Sequence, residues 1–254
     1  MEQENPLVVN PLQNMVFNKL FRLRILVFGV LTVGLWAIYY FVLRSGKVPA
    51  EDGPDFAYDI ITNGQKKGVS VDVYYESLCP DSRSFFINEL LPTVHKLGSH
   101  MFVNLIPYGR AETFVDGGAI EFKCQHGAPE CLGNKVHACV IEKTLTDNAL
   151  AVNVTSCLFE EYFQPTNNGE KCCRKFKVSW DDVKTCAYGS EGSQLLKKYG
   201  DMTNRLLPID FIPTIAINNN RGSRSYQAAI LKNLTHEVCK ILKKNAIAPA
   251  VCGE

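Results

Sequence analysis

The chain has 254 residues, 46% of them apolar and 21% charged, with 18 Gly, 12 Pro, 10 Cys and a formal net charge of +1. That length suits one ordinary domain plus an appendage, and the composition excludes a wholly disordered or collagen-like chain. A net charge near zero argues against a polyanion binder that works by phosphate neutralisation.

Residues 25–43 read ILVFGVLTVGLWAIYYFVL, 19 positions without a charge. At about 1.5 Å per residue this nearly crosses a hydrocarbon core of about 30 Å, so a transmembrane helix is expected. A cleaved signal peptide would need a shorter apolar stretch and small residues at its end. Here the stretch ends Tyr39-Tyr40-Phe41-Val42-Leu43-Arg44, an interfacial aromatic belt. Lys19, Arg22 and Arg24 precede the span, whereas Arg44 and Lys47 are diluted by Glu51, Asp52 and Asp55. Positive flanks stay cytosolic, so residues 1–24 read as a cytosolic tail and 25–43 as a signal-anchor. The expected topology is a single-pass type II membrane protein, with its main domain lumenal or extracellular. All ten cysteines fall from Cys79 onward, on the oxidising side. Two N-glycosylation acceptors, Asn153 and Asn233, lie there as well. Residue 2 is Glu, so no N-myristoylation motif is present.

Residues 44–68 contain Pro49, Pro54 and several Gly and acidic residues, and read as a stem. The lumenal domain is placed at 69–254. Residues 69–75, VSVDVYY, are β-branched, aromatic and partly alternating, which predicts a strand. A helical run follows Cys79, with Phe86, Leu90, Val94 and Leu97 on one face and Pro92 expected to kink or interrupt it. Residues 101–107 form a second strand, and the βαβ spacing predicts a parallel pair. The stretch 124–199 is helical in character and holds seven of the ten cysteines. A strand near 210–219 is entered through Pro213 and left through an Asn turn. A final helix is predicted over 228–243.

Cys79 would sit at the end of a strand and the start of a helix, where unpaired N–H groups and the helix dipole favour negative charge. That placement is expected to lower its pKa, and the thiolate is the nucleophile of disulfide exchange. Pro80 would occupy the first helical position, and the Ser82 hydroxyl lies one turn on, within reach of the thiolate. The alternative is that Cys79 is one more structural half-cystine. The later Ile212-Pro213 step, opening a strand, completes a pattern similar to thioredoxin-like folds. In those a cis-proline stands beside the active cysteine and the preceding backbone pairs with an extended substrate. An ordinary trans proline at an edge strand is the competing reading.

The run Cys124-Gln125-His126-Gly127-Ala128-Pro129-Glu130-Cys131-Leu132-Gly133-Asn134-Lys135-Val136-His137-Ala138-Cys139 resembles the signature of the gamma-interferon-inducible lysosomal thiol reductases, CQHGxxECxxNxxxxC, at every specified position. The Tyr-Tyr-Glu-Ser-Leu-Cys-Pro lead-in and Cys186-Ala187 before a Gly-rich helix start are also similar to that family. The resemblance spans residues 69–242. It implies an α/β, thioredoxin-like domain with a disulfide-rich helical insertion. It also implies reduction of protein disulfides in endosomes or lysosomes, linked to antigen processing and host defence.

One position departs from the family. Its Cys-x-x-Cys motif is Cys79-Pro80-Asp81-Ser82 here, and no two cysteines of the chain are three apart. The second thiol of a dithiol reductase resolves the mixed disulfide, so the expected mechanism is monothiol. Cys79 is the candidate nucleophile, Ser82 its partner, and Pro80, Ile212 and Pro213 the substrate-facing residues. No cofactor is expected; an external thiol, glutathione or cysteine, would resolve the adduct. Disulfide-containing proteins are the expected partners. A catalytically impaired binding or chaperone module of the same fold is the alternative, and a structural ectodomain stapled by disulfides a third.

The disulfide candidates are Cys124, Cys131, Cys139, Cys157, Cys172, Cys173, Cys186, Cys239 and Cys252. Nine cannot all pair within the chain, and Cys252 is the expected odd one, unpaired or intermolecular. A bond between the adjacent Cys172 and Cys173 would be strained. Cys124, His126, Cys131, His137 and Cys139 suggest zinc on paper, but closely paired cysteines are lacking, so no metal is expected. His126 as the base of a cysteine hydrolase lacks a supporting signature. His95 and His100 are expected to cap or flank the first helix.

Overall fold

The computed structural model describes residues 24, 26, 28–37, 39–40, 68–161, 165–206 and 208–253, in two compact units divided between residues 64 and 65. In the first unit the described positions from 24 to 40 are helical, and Leu26, Phe28, Leu31, Leu35 and Trp36 are exposed. Among the described residues no helix is long and apolar enough to cross a membrane. Residues 25, 27, 38 and 41–43 of the expected span lie outside the described residues. So do the expected tail before Arg24 and the stem apart from Gly68.

In the second unit, β1 (Val69–Tyr75) and β2 (Met101–Pro107) keep their predicted bounds. They pair in parallel, Val69 opposite Met101 through Tyr75 opposite Pro107. A short strand, β5 (Thr214–Ile217), lies antiparallel on the other side of β1, giving the order β2-β1-β5. β1 is thus central, with Val69, Val71, Val73, Tyr74 and Tyr75 all buried. Between β2 and the helices the chain forms a two-stranded hairpin, β3 (Glu112–Asp116) and β4 (Ala119–Lys123), that the sequence reading did not include. Gly117 and Gly118, both at positive φ, supply its tight turn.

After β1 comes α1 (Pro80–Phe85), a π-helical turn (Phe86–Leu90) and α2 (Leu91–Leu97). Pro92 cannot donate a backbone hydrogen bond, and the widened turn before it is the interruption expected there. Phe86, Leu90, Val94 and Leu97 are all buried on the sheet side. The insertion is α3 (Ala128–Lys143), α4 (Asn148–Leu158), α5 (Pro165–Lys175), α6 (Trp180–Tyr188) and α7 (Ser190–Leu206). α3 is buried on opposite sides. Cys131, Ala138 and Ile141 join the sheet core, while Val136, Cys139 and Val140 join a second core with Val154, Leu158 and Val183.

The predicted final helix is two helices, α8 (Arg224–Lys232) and α9 (Leu234–Lys244). Asn233 breaks the run because its side chain accepts the His236 N–H and caps α9. The parallel β1–β2 pair, the antiparallel β5 entered through Pro213 and the inserted helices make this the expected thioredoxin-like α/β domain.

Four disulfides link Cys124–Cys131, Cys139–Cys186, Cys157–Cys172 and Cys239–Cys252. Cys79 and Cys173 are free. The odd cysteine is therefore Cys173 and not Cys252. Cys252 lies on a terminal 3-10 turn (Ala250–Gly253) that packs against α9, and its partner is Cys239. Cys172 takes Cys157 instead of its neighbour, which leaves Cys173 buried in the second core.

Candidate active site

Cys79 is the N-cap of α1 and is only 7% exposed. Its N–H donates to the Glu76 carbonyl (3.3 Å), and its own carbonyl accepts the Arg83 N–H (3.0 Å), closing the first helical turn. Pro80 takes the first helical position, where a missing N–H has no consequence, and its side chain is exposed. The Cys79 thiol lies 3.8 Å from the Ile212 carbonyl, to which it donates. The Ile212–Pro213 peptide is cis, Pro213 is buried, and β5 starts at the next residue. The structure therefore brings together Cys79, Pro80, Ser82, Ile212 and Pro213 around one sulfur.

Ser82 is fully buried, and its Oγ accepts the Glu76 N–H (3.4 Å). Its hydroxyl and N–H, with the Asp81 N–H, stabilise the Cys79 thiolate, but burial outweighs them and pushes the thiol pKa up. The Glu76 carboxylate pushes in the same direction. A helix start alone would lower the thiol pKa, and in the folded domain the shift is upward. A sulfur almost out of water has lost more hydration than a few hydrogen bonds restore.

The signature residues hold this loop. Asn134, buried on α3, accepts the Ser77 N–H through Oδ1 (2.9 Å), and the Ser77 hydroxyl donates to the Glu130 carbonyl (3.2 Å). Gly127, at φ 82°, is the N-cap of α3, and the Cys124–Cys131 bond ties the turn before α3 to its first turn. Cys139 anchors α3 to α6 through Cys186. The sulfurs of the paper zinc set are thus consumed in disulfides. His137 is buried with its Nδ1 3.2 Å from the Tyr75 hydroxyl, and burial pushes its pKa down to about 3. His95 and His100 sit in the last turn of α2 and the turn after it, as expected.

Sequence reasoning missed Glu76, which it read only as part of the lead-in motif. It is 1% exposed, its Oε1 accepts the Arg110 N–H (2.8 Å), and its Oε2 lies 3.6 Å from His126 Nδ1. Burial raises its pKa to about 7. An acidic residue inside a run of buried positions was the available signal, since such a residue reaches the core only with a partner or a task. Among the glycosylation candidates, Asn233 is an exposed helix cap. Asn153 is a half-buried α4 residue whose Nδ2 donates to the Ala149 carbonyl (2.8 Å).

The gamma interferon inducible lysosomal thiol reductase (GILT) family model matches residues 70–176. A gamma-interferon-inducible lysosomal thiol reductase-like protein of Anopheles gambiae is 33% identical over 205 residues, covering 75% of this chain and 83% of its own. The gamma-interferon-inducible lysosomal thiol reductase of Carassius auratus is 31% identical over 245 residues, covering 92% and 94%. Of solved structures, oxidised BdbD from Bacillus subtilis has a TM-score of 0.48 at 15% identity, over 71% of this chain and 90% of that one. At that score it carries no argument of its own. The matching sequence relatives, each above 30% identity over three quarters or more of both chains, decide the matter: the chain belongs to the gamma-interferon-inducible lysosomal thiol reductase family and is a thiol–disulfide oxidoreductase.

Proposed function

We propose that Cys79 performs this activity by a monothiol route. The observation behind it is a free sulfur at a helix start, 3.8 Å from the Ile212 carbonyl, with a serine where a resolving thiol would stand. The Cys79 thiolate attacks one sulfur of a substrate disulfide, forming a mixed disulfide and releasing the first substrate thiolate. Ser82 hydrogen-bonds the sulfur while it is charged. Every other cysteine except Cys173 is already bonded, and Cys173 is buried in the second core, so no intramolecular thiol resolves the adduct. An external thiol, glutathione or cysteine, attacks the Cys79 sulfur and frees the second substrate thiolate. A second external thiol then releases Cys79 and leaves as the oxidised dimer. The substrate is reduced by two electrons and two external thiols are oxidised. The backbone at Ile212, beside the sulfur, pairs with an extended substrate segment.

Insulin reduction with glutathione tests this reading. Wild type accelerates precipitation of the freed chains and Cys79→Ala does not. Ser82→Cys restores an internal resolving thiol and raises turnover at limiting glutathione by about tenfold or more, a change of roughly 1.4 kcal/mol in the barrier. Equal rates for wild type and Cys79→Ala would sink it.

The same reading places the domain in an oxidising lumen of the endosomal, lysosomal or secretory route, held by residues 25–43. The charge-free run, its basic flank and the exposed apolar side chains between Leu26 and Tyr40 support the anchor. Alkaline carbonate extraction of membranes checks it: the full chain stays in the pellet and a chain lacking residues 1–43 does not. Release of the uncleaved full chain into the supernatant contradicts the anchor.

A further inference from the structure

Three side chains that the thiol chemistry does not use converge beside the Glu76–Cys79 loop. Glu76, His126 and Glu130 place one ligand atom each within 4.8 Å of one another. Glu76 comes from one fixed piece of backbone, and His126 and Glu130 from another. Glu76 follows the end of β1 and is pinned by the Arg110 N–H (2.8 Å). His126 sits in the loop closed by the Cys124–Cys131 bond, and Glu130 is in the first turn of α3.

Both carboxylates are buried, with Glu76 1% and Glu130 0% exposed. Glu130 uses Oε1 for the His126 N–H (3.1 Å) and Oε2 for the His126 ring. Glu76 Oε2 makes no hydrogen bond at all, although it is buried and faces His126 Nδ1 at 3.6 Å. A buried carboxylate oxygen without a donor is costly. Two ionised carboxylates against one imidazole leave the cluster net negative.

A cation completes the set. Imidazole nitrogen and carboxylate oxygen both bind zinc, and three protein ligands with a position left for water is the pattern of an open zinc site. Zinc bonds of about 2.1 Å put ligand atoms about 3.4 Å apart in a tetrahedron, close to the Glu76–His126 spacing. Calcium and magnesium require six or more oxygens and have no use for the imidazole. We propose that Glu76 Oε2, His126 Nδ1 and Glu130 Oε2 bind a divalent transition-metal ion of the zinc type. Nδ1 offers its lone pair to the ion with the ring proton on Nε2, and Glu130 moves outward from its contact with the ring. The ion ties the loop before Cys79 to the start of α3 and places positive charge beside the carboxylate that opposes the Cys79 thiolate. The site needs neither Cys79 nor an external thiol, so it stands or falls apart from the monothiol reading.

Zn2+ is titrated calorimetrically into the full chain in detergent at pH 7. Cys79→Ser and Cys173→Ser are present throughout, so that no free thiol serves as ligand. One Zn2+ per chain is expected, read from the stoichiometry of the heat. On that background Glu76→Gln, which keeps the side-chain shape, and His126→Asn each weaken binding by at least about tenfold. Circular dichroism verifies that each variant is folded, and either one alone suffices to decide. Absence of saturable binding, or binding that survives either substitution in a folded variant, overturns the site. Displacement of Zn2+ by equimolar Mg2+ overturns its assignment to a nitrogen-binding metal.

Discussion

Cys79 illustrates how a local argument and a whole-fold effect can oppose each other at one atom. Its helix-start position, its N–H donors and Ser82 all favour the thiolate, yet burial holds the thiol above its ordinary value. Its reactivity therefore climbs with pH throughout the range of lumenal compartments. Alkylation of Cys79 by iodoacetamide, followed by peptide mass spectrometry, should rise about tenfold per pH unit from pH 5 to 8, because the thiolate is the reacting form. A plateau below pH 7 would show a lowered pKa and contradict this account. Residue positions were legible in the sequence: Cys79 at a helix start, Pro80 at its first position, and Ile212-Pro213 opening a strand. The sign of the pKa shift was not, because burial depends on β5 and the Ile212 carbonyl, more than 130 residues away in the chain. Glu76 was missed for the same reason, since its partners Arg110, His126 and Glu130 meet it only in the folded domain.

At the scale of elements, β1 and β2 were read to the residue because both are rich in β-branched, aromatic and other apolar residues. The β3–β4 hairpin escaped although Gly117-Gly118 marked its turn; its strands are short and partly exposed, so they show little apolar pattern. The α8–α9 break escaped because the apolar spacing continues through Asn233 and only the cap interrupts it.

α3 offers a test of how its buried face responds to acid. His137 is 2% exposed, touches the Phe159 ring edge-on at 5.2 Å between centroids, and has its pKa pushed down to about 3 by burial. Below pH 6.5 the unfolded chain gains a proton here that the folded chain refuses until about pH 3. This residue thus subtracts stability as pH falls from 6.5 towards 3, by about 1.4 kcal/mol per unit, or about 2 kcal/mol at pH 5. His137→Gln keeps an acceptor for the Tyr75 hydroxyl and does not titrate. Its melting temperature should fall less than that of wild type between pH 7 and pH 5. Parallel curves for the two proteins would contradict the buried neutral imidazole.

Across the whole molecule the cysteine map separates two kinds of work. Eight cysteines fasten the domain: Cys139–Cys186 and Cys157–Cys172 within the helical core, Cys124–Cys131 at the start of α3, Cys239–Cys252 at the C-terminal end. The sequence offered an expectation for their compartment but not their connectivity, which depends on helix packing. Cys79 stands outside this set, and Ser82 in place of a second thiol decides what it can do alone. Non-reducing peptide mapping of the full chain, after exposure to a disulfide-bonded peptide without added thiol, tests that claim most directly. The account predicts a mixed disulfide at Cys79, with the four internal bonds intact, that disappears on adding glutathione. Cys79 bonded to another cysteine of the chain, or Cys79 without adduct, would contradict it.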